Sequence, residues 1–129
     1  LNFPGDNRHQ AFAEDAFKFL DTMGDQYDLI ILDPPAFAKH KKVLNNALQG
    51  YRKLNAKAFE KIRPGGILFT FSCSQVVSKE NFRLAVFSAA AQSGRNVRIL
   101  HQLTQPADHP VNIYHPEGEY LKGLVLYVE

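Results

Sequence analysis

The feature that most restricts the fold is a six-residue run, Tyr27-Asp28-Leu29-Ile30-Ile31-Leu32, halted at once by Asp33-Pro34-Pro35. Consecutive aliphatic residues rich in β-branching predict a strand buried on both faces of a parallel sheet. Two prolines fix φ and withdraw two backbone donors, so neither a strand nor a helix passes through them unbroken. The residue before them is pushed toward extended geometry, which sets Asp33 at the carboxyl end of the strand.

Around this run, strand-like and helix-like periods alternate in the order β-α-β-α-β-α-β-β, the pattern of an α/β layer architecture. His9 to Ala13 is expected as a short strand, and Ala16 to Thr22 as a short helix ended near Gly24. Leu44, Ala47, Leu48, Tyr51, Leu54, Ala58 and Ile62 fall at three- and four-residue steps and predict a long amphipathic helix covering the sheet. Arg63-Pro64-Gly65-Gly66 reads as a turn, and Ile67 to Phe71 as a further buried strand leading into Ser72-Cys73-Ser74. Ser78 is placed to cap a helix through Phe82, Leu84, Ala85, Phe87 and Ala91, with Gly94 as its terminator. Val97 to Leu103 and Gly123 to Val128 are the last predicted strands, separated by a long loop, Gln105 to Glu119, of the length that often carries function.

At 129 residues with 45% hydrophobic and 22% charged side chains, residues 1–129 suit one globular domain, without a membrane span or a disordered tail. The chain does not begin with Met and shows no basic segment followed by an apolar one, so it reads as a piece of something longer. A lone cysteine, Cys73, leaves no internal disulfide and no multi-cysteine zinc site, and it suits a reducing cytoplasm. His101, His109 and His115 lack compact metal-ligand spacing, and neither a G-x-G-x-x-G loop nor a Walker loop is present. No metal is expected.

Charge is segregated along the chain. Residues 1–38 are about five units acidic and residues 39–63 about seven units basic. The basic stretch, with Lys39, Lys41 and Lys42 at its start, either attracts a polyanion such as RNA or forms a solvated helix face.

In open α/β sheets ligands bind beyond the carboxyl ends of the strands. Three positions qualify: Glu14-Asp15, Asp33-Pro34-Pro35-Ala36-Phe37 and Ser72-Cys73-Ser74. The stiff Asp33 turn can hold a carboxylate beside a planar substrate, or its side chain can satisfy turn amides. Cys73 is a candidate nucleophile or a small core residue. Asp15 is either an acceptor for an exocyclic amine or the cap of the following helix.

Taken together, Asp28-Leu29-Ile30-Ile31-Leu32-Asp33-Pro34-Pro35-Ala36-Phe37, Gly50-Tyr51, Pro64-Gly65-Gly66, Phe71-Ser72-Cys73-Ser74, Ala107-Asp108-His109-Pro110 and Pro116-Glu117-Gly118-Glu119-Tyr120-Leu121-Lys122-Gly123 resemble one family. It is the class I S-adenosylmethionine-dependent methyltransferases, specifically the bacterial large-subunit ribosomal RNA cytosine-C5 methyltransferases. The resemblance implies a Rossmann-like sheet, mostly parallel with an antiparallel last strand, of which this chain is the C-terminal portion. It further implies S-adenosylmethionine as cofactor, with Asp15 and the adjoining Ala16 at its adenine and Asp33 lining the methyl-transfer site. Cys73 matches the nucleophile that adds to cytosine C6, while Asp33 orients the base or assists proton transfer. Pro34, Pro35, Phe37, Lys39, Lys41 and Lys42 are the implied substrate contacts.

Two departures stand out. The Asp-Pro-Pro motif continues with Ala36-Phe37, where many RNA cytosine-C5 methyltransferases have a second cysteine. The family's glycine-rich cofactor loop and upstream strands are absent, so the isolated chain is expected to bind cofactor poorly, to be inactive, and to pair its exposed sheet edge in a non-native dimer or through a swapped N-terminal segment. Two other readings remain open: nucleic-acid N-methylation at Asp-Pro-Pro without a thiol, and a non-catalytic RNA-binding module.

Overall fold

A computed structural model describes residues 8–24, 26–37 and 43–129. The elements run α1 (Ala16–Thr22), β1 (Tyr27–Leu32), α2 (Leu44–Lys61), β2 (Ile62–Ser72), α3 (Lys79–Ser93), β3 (Val97–Leu103), a 3-10 turn at Pro116–Gly118, and β4 (Lys122–Val128). Lys39, Lys41 and Lys42 lie outside the described residues.

The sheet order is β1-β2-β4-β3. β1 and β2 are parallel, whereas β4 runs antiparallel to both β2 and β3, so β1, β2 and β3 share one direction. The expected mostly parallel sheet with a reversed last strand is therefore present.

Helix boundaries follow local chemistry. The Asp15 carboxylate accepts from Lys18 N at 3.1 Å and starts α1. Ser78 Oγ accepts from Asn81 N at 3.1 Å and starts α3, which ends on Gly94 at φ +68°, a left-handed position that glycine tolerates without a Cβ clash. In α2 the predicted stripe is buried through Ala47, Tyr51, Leu54 and Ala58, joined by Phe59. Tyr51 and Phe59 are fully enclosed, and burial of a large apolar side chain contributes about 1.5–3 kcal/mol. Ile62, expected at the end of this stripe, instead opens β2 and is also fully buried.

Three expectations need correction. No strand forms at residues 9–13, which are exposed and have no ladder partner among the described residues; Phe12 packs on Phe19 at 5.0 Å instead. β1 is not buried on both faces, because it is an edge strand and the helices cover only one side: Leu29 and Ile31 are 52% and 61% exposed. The Arg63-Pro64-Gly65-Gly66 turn is absorbed into β2 as an irregularity, since Tyr27 pairs with Ile62 and Leu29 already with Ile67.

Alternation assigns the two faces. Leu68, Thr70 and Ser72 of β2 are buried beneath the helices, together with Lys122, Leu124, Leu126 and Val128 of β4. Ile67, Phe69 and Phe71 point to the other face and are only partly covered. The acidic and basic segments of the chain partly neutralise each other: Lys57 pairs with Asp21, Arg63 binds both oxygens of Asp28 at 3.2 and 3.1 Å, and Lys61 Nζ donates to Met23 O at 2.8 Å. That portion of the basic segment is engaged within the fold, while Arg52 and Lys53 remain exposed.

Candidate active site

β1 and β2 are adjacent and parallel, so their carboxyl ends, and the Asp33 turn and Ser72-Cys73-Ser74 that follow them, emerge at the same rim. There they meet the long loop between β3 and β4. Together they enclose a cleft of about 510 Å³ lined by Asp33, Pro34, Pro35, Cys73, Gln105, Pro106, Asp108, His109, Tyr120 and Leu121. The carboxylate, the two prolines and the sulfur singled out from sequence thus share one cavity. Cys73 is half-buried, a reduced thiol rather than a core residue sealed among aliphatic side chains.

A buried phenol joins the two rims. Ser72 Oγ donates to the Tyr51 hydroxyl at 2.9 Å, and the Phe37 backbone also bonds that oxygen. Burial, the dominant influence, pushes the Tyr51 phenol above its ordinary value; the Ser72 and Phe37 bonds pull it partly back, and the nearby Cys73 adds to the rise. The Phe37 ring packs edge-on against Tyr51, with centroids 4.7 Å apart, and rests on Gly50, where a Cβ would come within 3.3 Å of it. Phe37 therefore anchors the Asp-Pro-Pro loop and does not line the cleft.

Beneath Cys73 lies Lys122, only 7% exposed, on β4 opposite Ser72. Its ammonium donates to Ser74 O and to Val77 O, the latter at 2.8 Å, and so ties down the turn after the thiol. Burial depresses the Lys122 pKa; Cys73 opposes the change, Lys79 reinforces it and Glu119 opposes it. Neither Tyr51 nor Lys122 was recognised as a site residue from sequence. Tyr51 is hidden within an apolar stripe, but Lys122 has the same two-residue parity as Leu124, Leu126 and Val128, which signals an inward position.

The β3–β4 loop is internally braced. Gln105 Oε1 accepts from Tyr120 N at 2.9 Å, while Gln105 Nε2 donates to His109 O at 3.4 Å. His109 N donates to Pro106 O at 3.0 Å, and Lys79 pairs with Glu119, lowering that carboxyl below its usual range.

Asp15 and Ala16 stand apart from the cleft lining. Asp15 Oδ1 is the helix cap, leaving its other carboxylate oxygen available, and Ala16 N–H in the first turn has no intrahelical acceptor. An exposed acceptor beside an exposed donor fits the amine and ring nitrogen of an adenine edge. Among the described residues, no group of three His, Cys, Asp or Glu side chains converges as a metal site, and no helix is long and apolar enough to cross a membrane.

This four-strand open sheet, with an acid and a thiol following its parallel strands, has the fold of part of solved methyltransferase structures. The sequence comparisons point more narrowly: the chain is similar to Ribosomal RNA large subunit methyltransferase I. It is 47% identical to that protein from Tolumonas auensis over 116 residues, covering 88% of this chain and 29% of the relative. The Aeromonas hydrophila protein of the same name is 43% identical over 129 residues, covering 98% and 32%. The chain thus spans about a third of the length of these relatives. A crystal structure of a protein assigned as a methyltransferase and complexed with SAH has a TM-score of 0.68 and 24% identity, covering 87% of this chain and 29% of that one. A SAM-dependent methyltransferase assignment from Streptococcus mutans gives a TM-score of 0.67 at 23% identity, covering 87% and 28%. No family model matches.

Proposed function

We propose that residues 1–129 are the C-terminal portion of the catalytic domain of a cytoplasmic enzyme that methylates C5 of a cytosine in large-subunit ribosomal RNA. The supporting observation is the shared cleft: a thiol, an acid and a rigid proline floor face one volume at the ends of two parallel strands.

Bound S-adenosylmethionine supplies an electrophilic methyl group. Asp15 and Ala16 hold its adenine edge and Asp33 borders its reactive end, while Pro34 and Pro35 form a flat wall against the pyrimidine. The Cys73 thiolate adds to ring carbon C6 and makes C5 carbanion-like, splitting one difficult substitution into two easier steps. Asp33 orients the pyrimidine or assists proton transfer. The cytosine must be flipped or single-stranded, because a duplex hides the attacked ring atom. Lys39, Lys41, Lys42 and the exposed Arg52 and Lys53 draw in the phosphate backbone. The absence of a second cysteine in the Asp-Pro-Pro motif leaves product release to a non-sulfur base.

Mass mapping of ribosomal RNA methylated by the complete gene product with labelled cofactor tests this directly. Cys73→Ala is expected to abolish a methyl mark at cytosine C5. Persistence of that mark, or label on a ring or exocyclic nitrogen in both proteins, overturns the reading.

A further inference from the structure

Resting on that C5 reading, the reaction leaves one group unassigned: the acceptor for the C5 proton. Once C5 carries the methyl group, its C–H bond must break. The electron pair forms the C5–C6 double bond, the C6–S bond cleaves, Cys73 departs as thiolate, and the proton passes to a base. Taking Asp33 as the group that orients the pyrimidine, the β3–β4 loop wall of the same cleft is the place to search. Among the described cleft residues, that wall offers the titratable side chains Asp108, His109 and Tyr120.

A phenol is a proton donor near neutrality, and a solvated carboxylate is a weak base. Imidazole is the side chain suited to accepting a proton there and returning it to water. The backbone of His109 is also fixed within the loop. Its N–H and C=O are both bonded within the loop, to Pro106 O at 3.0 Å and Gln105 Nε2 at 3.4 Å, and Gln105 ties the same loop to Tyr120 N. Its ring is not committed to the core: the side chain is 66% exposed on the cleft. Asp108 Oδ2 lies 3.8 Å from Nδ1, so a carboxylate faces the cation that proton capture creates and Nε2 is left for substrate.

We infer that His109 is the base that removes the C5 proton and thereby releases Cys73 from the methylated ring.

The test uses the complete gene product, its cofactor and two RNAs, one with ordinary cytosine and one with 5-fluorocytosine, resolved on denaturing gels. The fluorinated base has no C5 proton to lose, so it traps the Cys73 adduct whatever the base. A wild-type enzyme that traps no adduct overturns the underlying C5 reading. Where trapping succeeds, His109→Ala is expected to trap equally, to accumulate a methylated adduct on ordinary RNA, and to turn over about 10²–10⁴-fold more slowly. Added imidazole should restore release, an effect that repair of folding alone does not produce. Equal trapping together with turnover on ordinary RNA within threefold of wild type overturns the His109 assignment and leaves the C5 reading standing. Slow turnover without adduct accumulation overturns the same assignment, as does a methylated adduct accumulating in Asp33→Asn instead.

Discussion

Removing one oxygen atom, through Tyr51→Phe, should uncouple the two rims of the cleft without disturbing their packing. The ring contacts of Tyr51 with Phe37 and Phe82, at 4.7 and 5.4 Å between centroids, are retained by phenylalanine. The bonds to Ser72 Oγ and the Phe37 backbone are lost. At about 1 kcal/mol net for each bond, with a further cost for partners left unsatisfied, the variant should lose about 2–3 kcal/mol. That is roughly a 30- to 150-fold fall in the folding equilibrium constant at 25 °C, readable as a lower urea midpoint at unchanged slope.

The same tyrosine makes the effect depend on pH. Its folded pKa is raised above the unfolded value of 10.0, so its contribution is fully present below that value and is lost as pH rises through the folded value. Tyr51→Phe lacks this alkaline loss, and the titrations of groups not coupled to Tyr51 cancel in the difference. The stability gap between wild type and variant should therefore be constant from neutrality to about pH 9 and narrow above pH 10. A gap under 0.5 kcal/mol at pH 7, or one that widens above pH 10, would refute the view that this phenol ties the Asp-Pro-Pro loop to β2.

Lys122→Met removes the ammonium that holds Ser74 O and Val77 O, and should lower stability at pH 7 by about 1–3 kcal/mol in urea melts. Because burial depresses the Lys122 pKa, the charged form is penalised in the fold; that penalty lifts as pH rises from the folded value toward 10.5, so the gap should widen over this range. We also propose that the chain dimerises through β1, the edge strand of the sheet among the described residues, whose Leu29 and Ile31 are exposed. Light scattering should show a mass that rises with concentration and returns to monomer in Leu29→Lys/Ile31→Lys, and a wild-type mass independent of concentration counts against it.

Much of this site was legible because its determinants are local. The caps at Asp15, Ser78 and Gly94 were readable from short-range chemistry, as was the buried stripe of α2. Placing both Asp33 and Cys73 just after strands was enough to predict that they meet, since parallel neighbours end at one rim. Strand neighbours were harder to read. The Leu29-Ile30-Ile31 run has the composition of a central strand, but exposure depends on which element pairs beside it, and that choice is made across the chain. Residues 9–13 have no strand beside them among the described residues to supply a ladder, so local propensity was overruled. Tyr51 and Lys122 were missed for another reason: their polar atoms matter only through Ser72, Ser74 and Val77, whose places become known once β2 and β4 are in register.

The sheet order β1-β2-β4-β3 has a kinetic consequence during synthesis. β4 is translated after both strands it separates, and among the described residues β3 has no other neighbour in the sheet. Until the ribosome releases residues 122–128, β3 lacks its ladder partner and the inner edge of β2 stays open. The turn bearing Cys73 also waits for the ammonium of Lys122. The setting of this thiol is thus completed late, by sequence-distant pairing of the kind that slows folding and lengthens exposure to aggregation.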